Sequence, residues 1–279
     1  MKTIRSHKYL AESILNRFAE PDDNNRKIIY YIDFEDNKIK STTTSSFNKE
    51  EGYYTEENEG NLKRVSEEKI GNVISELQRK HEKNGINFNI SIKSKQIIKK
   101  YVSYQLIRDD SMVEYIINFF ANLDCEKYYL SNEELNRLKE LKRCYSNITV
   151  KQLKNRLIET EEETEMFFEP VSNLGIIILF NMTNRKFVLT SSTSALNPYS
   201  PGHFIMHITL TPEINIALCN KKSLKSYLEI DRNIYLSEIR DKEFILEYNK
   251  GLFEVAKKNK PHKIVGFKRD LEELINKEK

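Results

Sequence analysis

Tryptophan is absent from the 279 residues, and the longest apolar run, Ile176 to Phe180, is short. A run of that length cannot cross a membrane as a helix, which takes about 20 apolar residues. The N-terminal stretch is charged and lacks the apolar core of a signal peptide, so a cytoplasmic protein with no membrane association is expected. Cys125, Cys144 and Cys219 are odd in number, far apart and never in a CxxC pair. That spacing excludes a zinc knuckle and a redox pair, and scattered thiols fit a reducing compartment. Nor does one sign of charge dominate: 45 basic and 42 acidic residues leave a net +3. A nucleic-acid-binding chain usually carries a large, clustered basic excess, so composition lends that function no support. The phosphate loop GxxxxGK(S/T), the dinucleotide turn GxGxxG, the zincin HExxH and the nucleophile elbow GxSxG are all missing.

What is present describes a globular chain. Hydrophobic residues make up 39% and charged residues 31%, with 15 Tyr and 14 Phe. Disordered chains lack such aromatic content. A chain of this length can bury about three quarters of its unfolded surface. The patterns predict one α+β domain over 1–279: an N-terminal helix and β-hairpin, a helical middle to about residue 168, and a β-rich last third from about 170, closed by a helix.

The first helix is expected over Ser6–Ala19, with Ser6 as cap, Leu10, Ile14, Leu15 and Phe18 on one face, and Pro21 beyond its end. Lys27–Phe34 and Ile39–Thr44 read as a hairpin about Glu35-Asp36-Asn37. Helical spacing follows over Asn61–Asn84 (stopped by Gly85), Ile97–Ile107, Ser111–Leu123, Asn132–Arg143 (capped by Ser131) and Val150–Met166. Leu174–Phe180, Phe187–Thr190, Phe204–Leu210 and Ile214–Leu218 are strand-like, and helices are expected from about Arg240 to Lys257 and from Arg269.

Few residues suggest chemistry. At the first turn of the expected helix, His7 meets unpaired N–H groups and partial positive charge, which suit an anion. There it can serve as a base, or simply pack or cap the helix. Thr190-Ser191-Ser192-Thr193-Ser194 can line an oxyanion site or hold a turn through side-chain bonds. His203 and His207 flank strand-like residues, and four residues of strand separate them by roughly 13 Å, too far for one metal. The acidic run Glu159, Glu161, Glu162, Glu163, Glu165 reads as a solvated helix face rather than a metal site.

Several segments, in order, resemble a bacterial family known as domain of unknown function 4238. Its opening motif, H-(H/Y)-Y-(V/I)-P-x-x-(L/I)-L-x-x-F, is similar to His7-Lys8-Tyr9-Leu10-Ala11-Glu12-Ser13-Ile14-Leu15-Asn16-Arg17-Phe18. Its Q-x-x-R resembles Gln105-Leu106-Ile107-Arg108, and its F-(I/V)-T-S-D-N-P resembles Phe187-Val188-Leu189-Thr190-Ser191-Ser192, with Asn197-Pro198 displaced. Thr209-Leu210-Thr211-Pro212 and then Asn249, Ala256 and Val265 look like its later elements. The family proline is Ala11 here and its strand-end aspartate is Ser192.

The resemblance implies an antiviral defence or toxin-like effector in bacteria, acting on nucleic acid or nucleotides. His7, Tyr9, Ser191 and Asn249 would be its catalytic groups, and Thr190, Ser192 and Arg108 its ligand-binding groups, with no metal. It names no cofactor, and leaves a protein partner or a nucleic acid as the expected partner class. A non-catalytic sensor or binding module is the alternative, which the loss of the aspartate favours. Tyr53-Tyr54 and Tyr128-Tyr129 would be its interface anchors if exposed.

Overall fold

Ser6 and His7 extend rather than coil. In the computed structural model, which describes residues 5–124, 131–159, 174–191, 204–219, 234–258 and 263–276, β1 (Arg5–His7) pairs antiparallel with β5 (Lys49–Glu51), Ser6 opposite Glu50 and His7 opposite Lys49. The helix expected over Ser6–Ala19 shrinks to one turn, α1 (Glu12–Leu15), preceded by Ala11 with no side-chain cap. The cause is competition for backbone: β5 takes up the first residues, and the Lys8 N–H donates to the Asn48 carbonyl at 3.0 Å. Two tight turns after α1, Arg17 N–H to Ile14 and Phe18 N–H to Leu15, keep Leu10, Ile14, Leu15 and Phe18 buried on one side. Ser6 therefore caps no helix, and His7 does not occupy a helix N-terminus.

The hairpin forms as expected, β3 (Lys27–Asp33) with β4 (Lys38–Thr43), and Asn37 takes the left-handed φ of 52° that its turn requires. The other edge of β3 pairs with β2 (Glu20–Pro21) and with β11 (Ile264–Gly266), and β11 pairs in turn with β7 (Leu189–Thr190). The hairpin of the first third and the end of the last third thus share one sheet. Gly266 sits where a Cβ would lie 3.0 Å from Val188 Cγ1 and 3.2 Å from Leu271 Cδ2, so a larger residue would press on both side chains. A second sheet runs β10 (Ile234–Ile239), β6 (Gly175–Asn181), β9 (Ile214–Cys219), β8 (Phe204–Thr211), with β6 and β10 parallel.

Helices fill the middle. Thr55 caps α2 (Glu56–Asn61), which runs through a π-turn at Leu62–Glu67 into α3 (Glu68–Asn84) and stops at Gly85, φ 57°. α4 (Ile92–Arg108) is the centre of the main core: every residue from Tyr101 to Arg108 is buried. Asp109 caps α5 (Asp110–Ala121), Ser131 and Glu134 form a capping box on α6 (Asn132–Ser146), and α7 (Val150–Glu159) follows. The acidic residues beyond Glu159 lie outside the described residues, as do Tyr128-Tyr129, Ser192 and His203. α8 (Lys242–Lys258) and α9 (Lys268–Asn276) cover the strands. The fold is α+β, and no described helix is long and apolar enough to cross a membrane.

Candidate functional site

Two polar stations lie on either side of the segment Tyr9-Leu10. The first centres on Asp110, the first residue of α5, where an acid complements the helix dipole. Its carboxylate accepts from the Tyr9 hydroxyl at 3.0 Å and the Tyr53 hydroxyl at 2.7 Å, and pairs with Lys8 Nζ at 3.0 Å and with Lys154 Nζ. Lys154 is wholly buried on α7; its ammonium also donates to the Arg108 carbonyl at 2.6 Å, one of the open carbonyls at the end of α4. Both lysines lie over the rings of Tyr9 and Tyr53, at 4.7–5.7 Å from the ring centres. Burial pulls the Lys154 pKa down to about 8 against the attraction of Asp110. Burial would raise Asp110, but Lys154, Tyr53 and Lys8 together hold it at about 2. Tyr9, buried and beside that carboxylate, is pushed up to about 12.

His7 and Arg108 border this station. The His7 ring faces the Phe47 carbonyl through Nδ1 at 3.0 Å, and because a carbonyl only accepts, Nδ1 carries the proton. Nε2 lies 3.4 Å from the Glu12 carboxylate, and burial together with Lys49 lowers the pKa. Arg108, 1% exposed, pairs with Glu67 at 2.5 Å. Tyr53 and Tyr54 are buried, edge to face at 4.9 Å, and are not the exposed anchors a docking surface would use.

The second station is a narrow, partly open cavity with room for about one water. Leu10, Tyr101, Gln105, Leu189, Thr190, His207, Ile208, Thr209, Tyr248 and Leu252 line it. Strand register builds its polar wall. Thr209 on β8 lies opposite Asn215 on β9, and His207, two residues from Thr209, shares its face. Asn215 Nδ2 donates to Thr209 Oγ1 at 3.0 Å and to the Tyr248 hydroxyl at 2.7 Å, while Oδ1 lies 3.2 Å from His207 Nδ1. Burial raises the Tyr248 pKa to about 12 and lowers that of His207.

That last shift has a measurable consequence. In the unfolded chain a histidine titrates near 6.5, so below that pH the unfolded state binds a proton the folded His207 refuses. Stability is therefore expected to fall as pH drops below about 6.5, His7 adding a step of the same sign. Chemical denaturation of His207→Gln between about pH 7 and 5 should give a flatter curve than the wild type; superposable curves would exclude this role.

Comparison with family models, curated proteins and solved structures finds no match. The site is thus judged on its own geometry. Of the candidates named from the sequence, His7, Tyr9 and Arg108 border the Asp110 station and Thr190 lines the cleft. Ser191 and Asn249 are engaged in strand geometry instead. Ser191 Oγ accepts from the Lys263 N–H at 2.7 Å; Asn249 accepts from the Val188 N–H at 3.1 Å and donates to the Lys186 carbonyl at 2.8 Å. Asp110, Lys154, Asn215 and Tyr248 escaped sequence reasoning, and His207 was weighed there only as a metal ligand. Lys154 was legible: Leu153, Leu157 and Ile158 put position 154 on the buried face of an amphipathic helix. Asn215 and Tyr248 carry no such signal, because a strand register defines their meeting.

Proposed function

We propose that the protein is a bacterial defence or toxin-like effector that acts on a nucleotide-type ligand, one polar group of which would reach the small cavity between α4, β8 and α8. One observation carries the reading. Leu10, Gln105, Thr190 and Thr209, from four segments that resemble the family, line a single cavity. Among the described residues the lining contains no lysine or arginine, only an amide, hydroxyls, one imidazole and apolar side chains. Such a wall suits an uncharged, hydrogen-bonding group better than a phosphate chain. His207, buried, with Nδ1 against Asn215, has the arrangement of an oriented general base.

A second reading, a sensor that binds the same ligand without turning it over, is favoured by Ser191 and Asn249, whose polar atoms serve backbone groups. Titration calorimetry with nucleosides and mononucleotides, paired with product analysis, separates the two. Binding with turnover, both lost in a folded Gln105→Leu variant by tenfold or more (about 1.4 kcal/mol), is the effector result. Binding without turnover selects the sensor. Absence of binding for every base sinks the cleft as a nucleotide site. A phage challenge of a host expressing wild type and Gln105→Leu then tests the defence setting: protection by both alike would detach the cleft from it.

A further inference from the structure

We propose that His7 and Glu12 form an acid-responsive clip: on taking a proton, the His7 ring binds the Glu12 carboxylate and holds the start of α1 against β1. The clip stands apart from the nucleotide reading and needs no ligand. Both ring nitrogens face groups that only accept hydrogen bonds. Nδ1 lies 3.0 Å from the Phe47 carbonyl, and Nε2 lies 3.4 Å from the Glu12 carboxylate. A neutral imidazole has one N–H, so in that form one of the two contacts is always mismatched. The closer carbonyl takes the proton. Nε2, buried and without a hydrogen-bond partner, then turns its lone pair towards a carboxylate, and their separation exceeds the usual N–H···O range of about 2.7–3.2 Å. An imidazolium has two N–H groups and matches both acceptors. The Glu12 side chain is 41% exposed and has room to close the remaining gap.

The surroundings set the direction of the response. Glu12 on α1 draws a proton onto the ring, while burial, Lys49 (opposite His7 on β5) and Arg108 at the end of α4 oppose it. The ring is therefore neutral at pH 7, and the change falls on the acid side of about 6.5. Lys8–Ala11 run between the two clip residues. Lys8 and Tyr9 bind Asp110, and Leu10 lines the cavity. α1 itself is one turn, closed by the N–H groups of Leu15 and Asn16 on the carbonyls of Ala11 and Glu12. So short a helix depends on contacts outside itself. A bond from Glu12 back to β1 ties down both ends of the segment that joins the Asp110 station to the cavity.

NMR on the wild type, Glu12→Gln and Glu12→Ala tests the clip. The 15N shifts of His7 give its tautomer and its titration. Exchange of the Asn16 N–H, which donates to the Glu12 carbonyl, reports the start of α1. Neither substitution changes a neighbour of Asn16, so its intrinsic exchange rate is common to all three. The neutral wild-type ring is expected to be Nδ1–H, with a titration midpoint at higher pH than in either variant, because each variant removes the carboxylate. About one pH unit below the wild-type midpoint, Asn16 should exchange about two- to fivefold more slowly in the wild type than in the variants, the range for a partly exposed ion pair. At pH 7 the advantage over Glu12→Gln should vanish or reverse, since the glutamine amide can donate to the lone pair of the neutral ring. A neutral ring with its proton on Nε2 overturns the clip, because Glu12 would then be bound without acid. Equal midpoints overturn it as well. So does an Asn16 exchange ratio between wild type and Glu12→Gln that is the same at both pH values, which would leave Glu12 acting only as a charge at a distance.

Discussion

Asp110→Ala is expected to lose about 3–5 kcal/mol of folding stability, because it strips the carboxylate from a wholly buried ammonium. Lys154 would keep only the Arg108 carbonyl as a hydrogen-bond acceptor of those described here, and the hydroxyls of Tyr9 and Tyr53 would lose theirs. Lys154→Met should cost less. It fills the same volume without a charge and leaves Asp110 with Lys8 and both tyrosines. The double variant Asp110→Ala/Lys154→Met should then be more stable than Asp110→Ala alone, a reversal that separates an uncompensated charge from lost packing. Urea unfolding measures all three, and a single-variant loss under about 1 kcal/mol would show that the cluster does not hold the fold.

The same carboxylate sets an acid limb. Its folded pKa, about 2, lies below the unfolded value near 3.9. Its contribution is complete above about pH 4 and disappears as pH falls through about 2, a change of roughly 2 kcal/mol that Asp110→Asn should lack.

Glu67→Ala carries the second large effect, also about 3–5 kcal/mol, because Arg108 is 1% exposed and would lose its carboxylate partner at 2.5 Å. Arg108→Met should be the milder change. Glu67 sits at the π-turn with 15% of its side chain exposed and can turn to water once the guanidinium is gone. The order of the two losses is the test: a greater loss in Arg108→Met would mean that the guanidinium acts through packing rather than through its charge. In either case Arg108 is a buried strut between α4 and the π-turn, which limits what it can offer to a ligand.

How much of this the sequence carries depends on the range of the interaction. The hairpin at Asn37, the stop at Gly85, the Ser131 cap and the strands β6, β8 and β9 follow from local chemistry, and each was legible. Ser6–Ala19 was misread because its helical spacing is real, yet β5, 40 residues on, offers Ser6 and His7 better hydrogen bonds. β10 and β11 were missed for a related reason. Each is a short run whose strand character comes from a distant partner, β6 for one and β3 with β7 for the other. The site shows the same division. Thr190 and Gln105 stood out through the resemblance, whereas Asn215 gained meaning only when β8 set Thr209 against it.

The place of β11 also bears on how the chain is made. Residues 264–266 lie between β3, which ends at Asp33, and β7, which ends at Thr190. At about 5–20 residues per second of synthesis, the early hairpin waits on the order of tens of seconds for its neighbour. During that interval Ile32, wholly buried in the finished protein, faces Ile264 across a gap not yet filled. The nascent chain thus carries an open strand edge for most of its production, which is when unpaired edges recruit other chains. Lys27 on β3 and Lys38 and Lys40 on β4 supply charge during that wait, and the late strand, once inserted, locks the early and late parts of the protein into one cooperative unit.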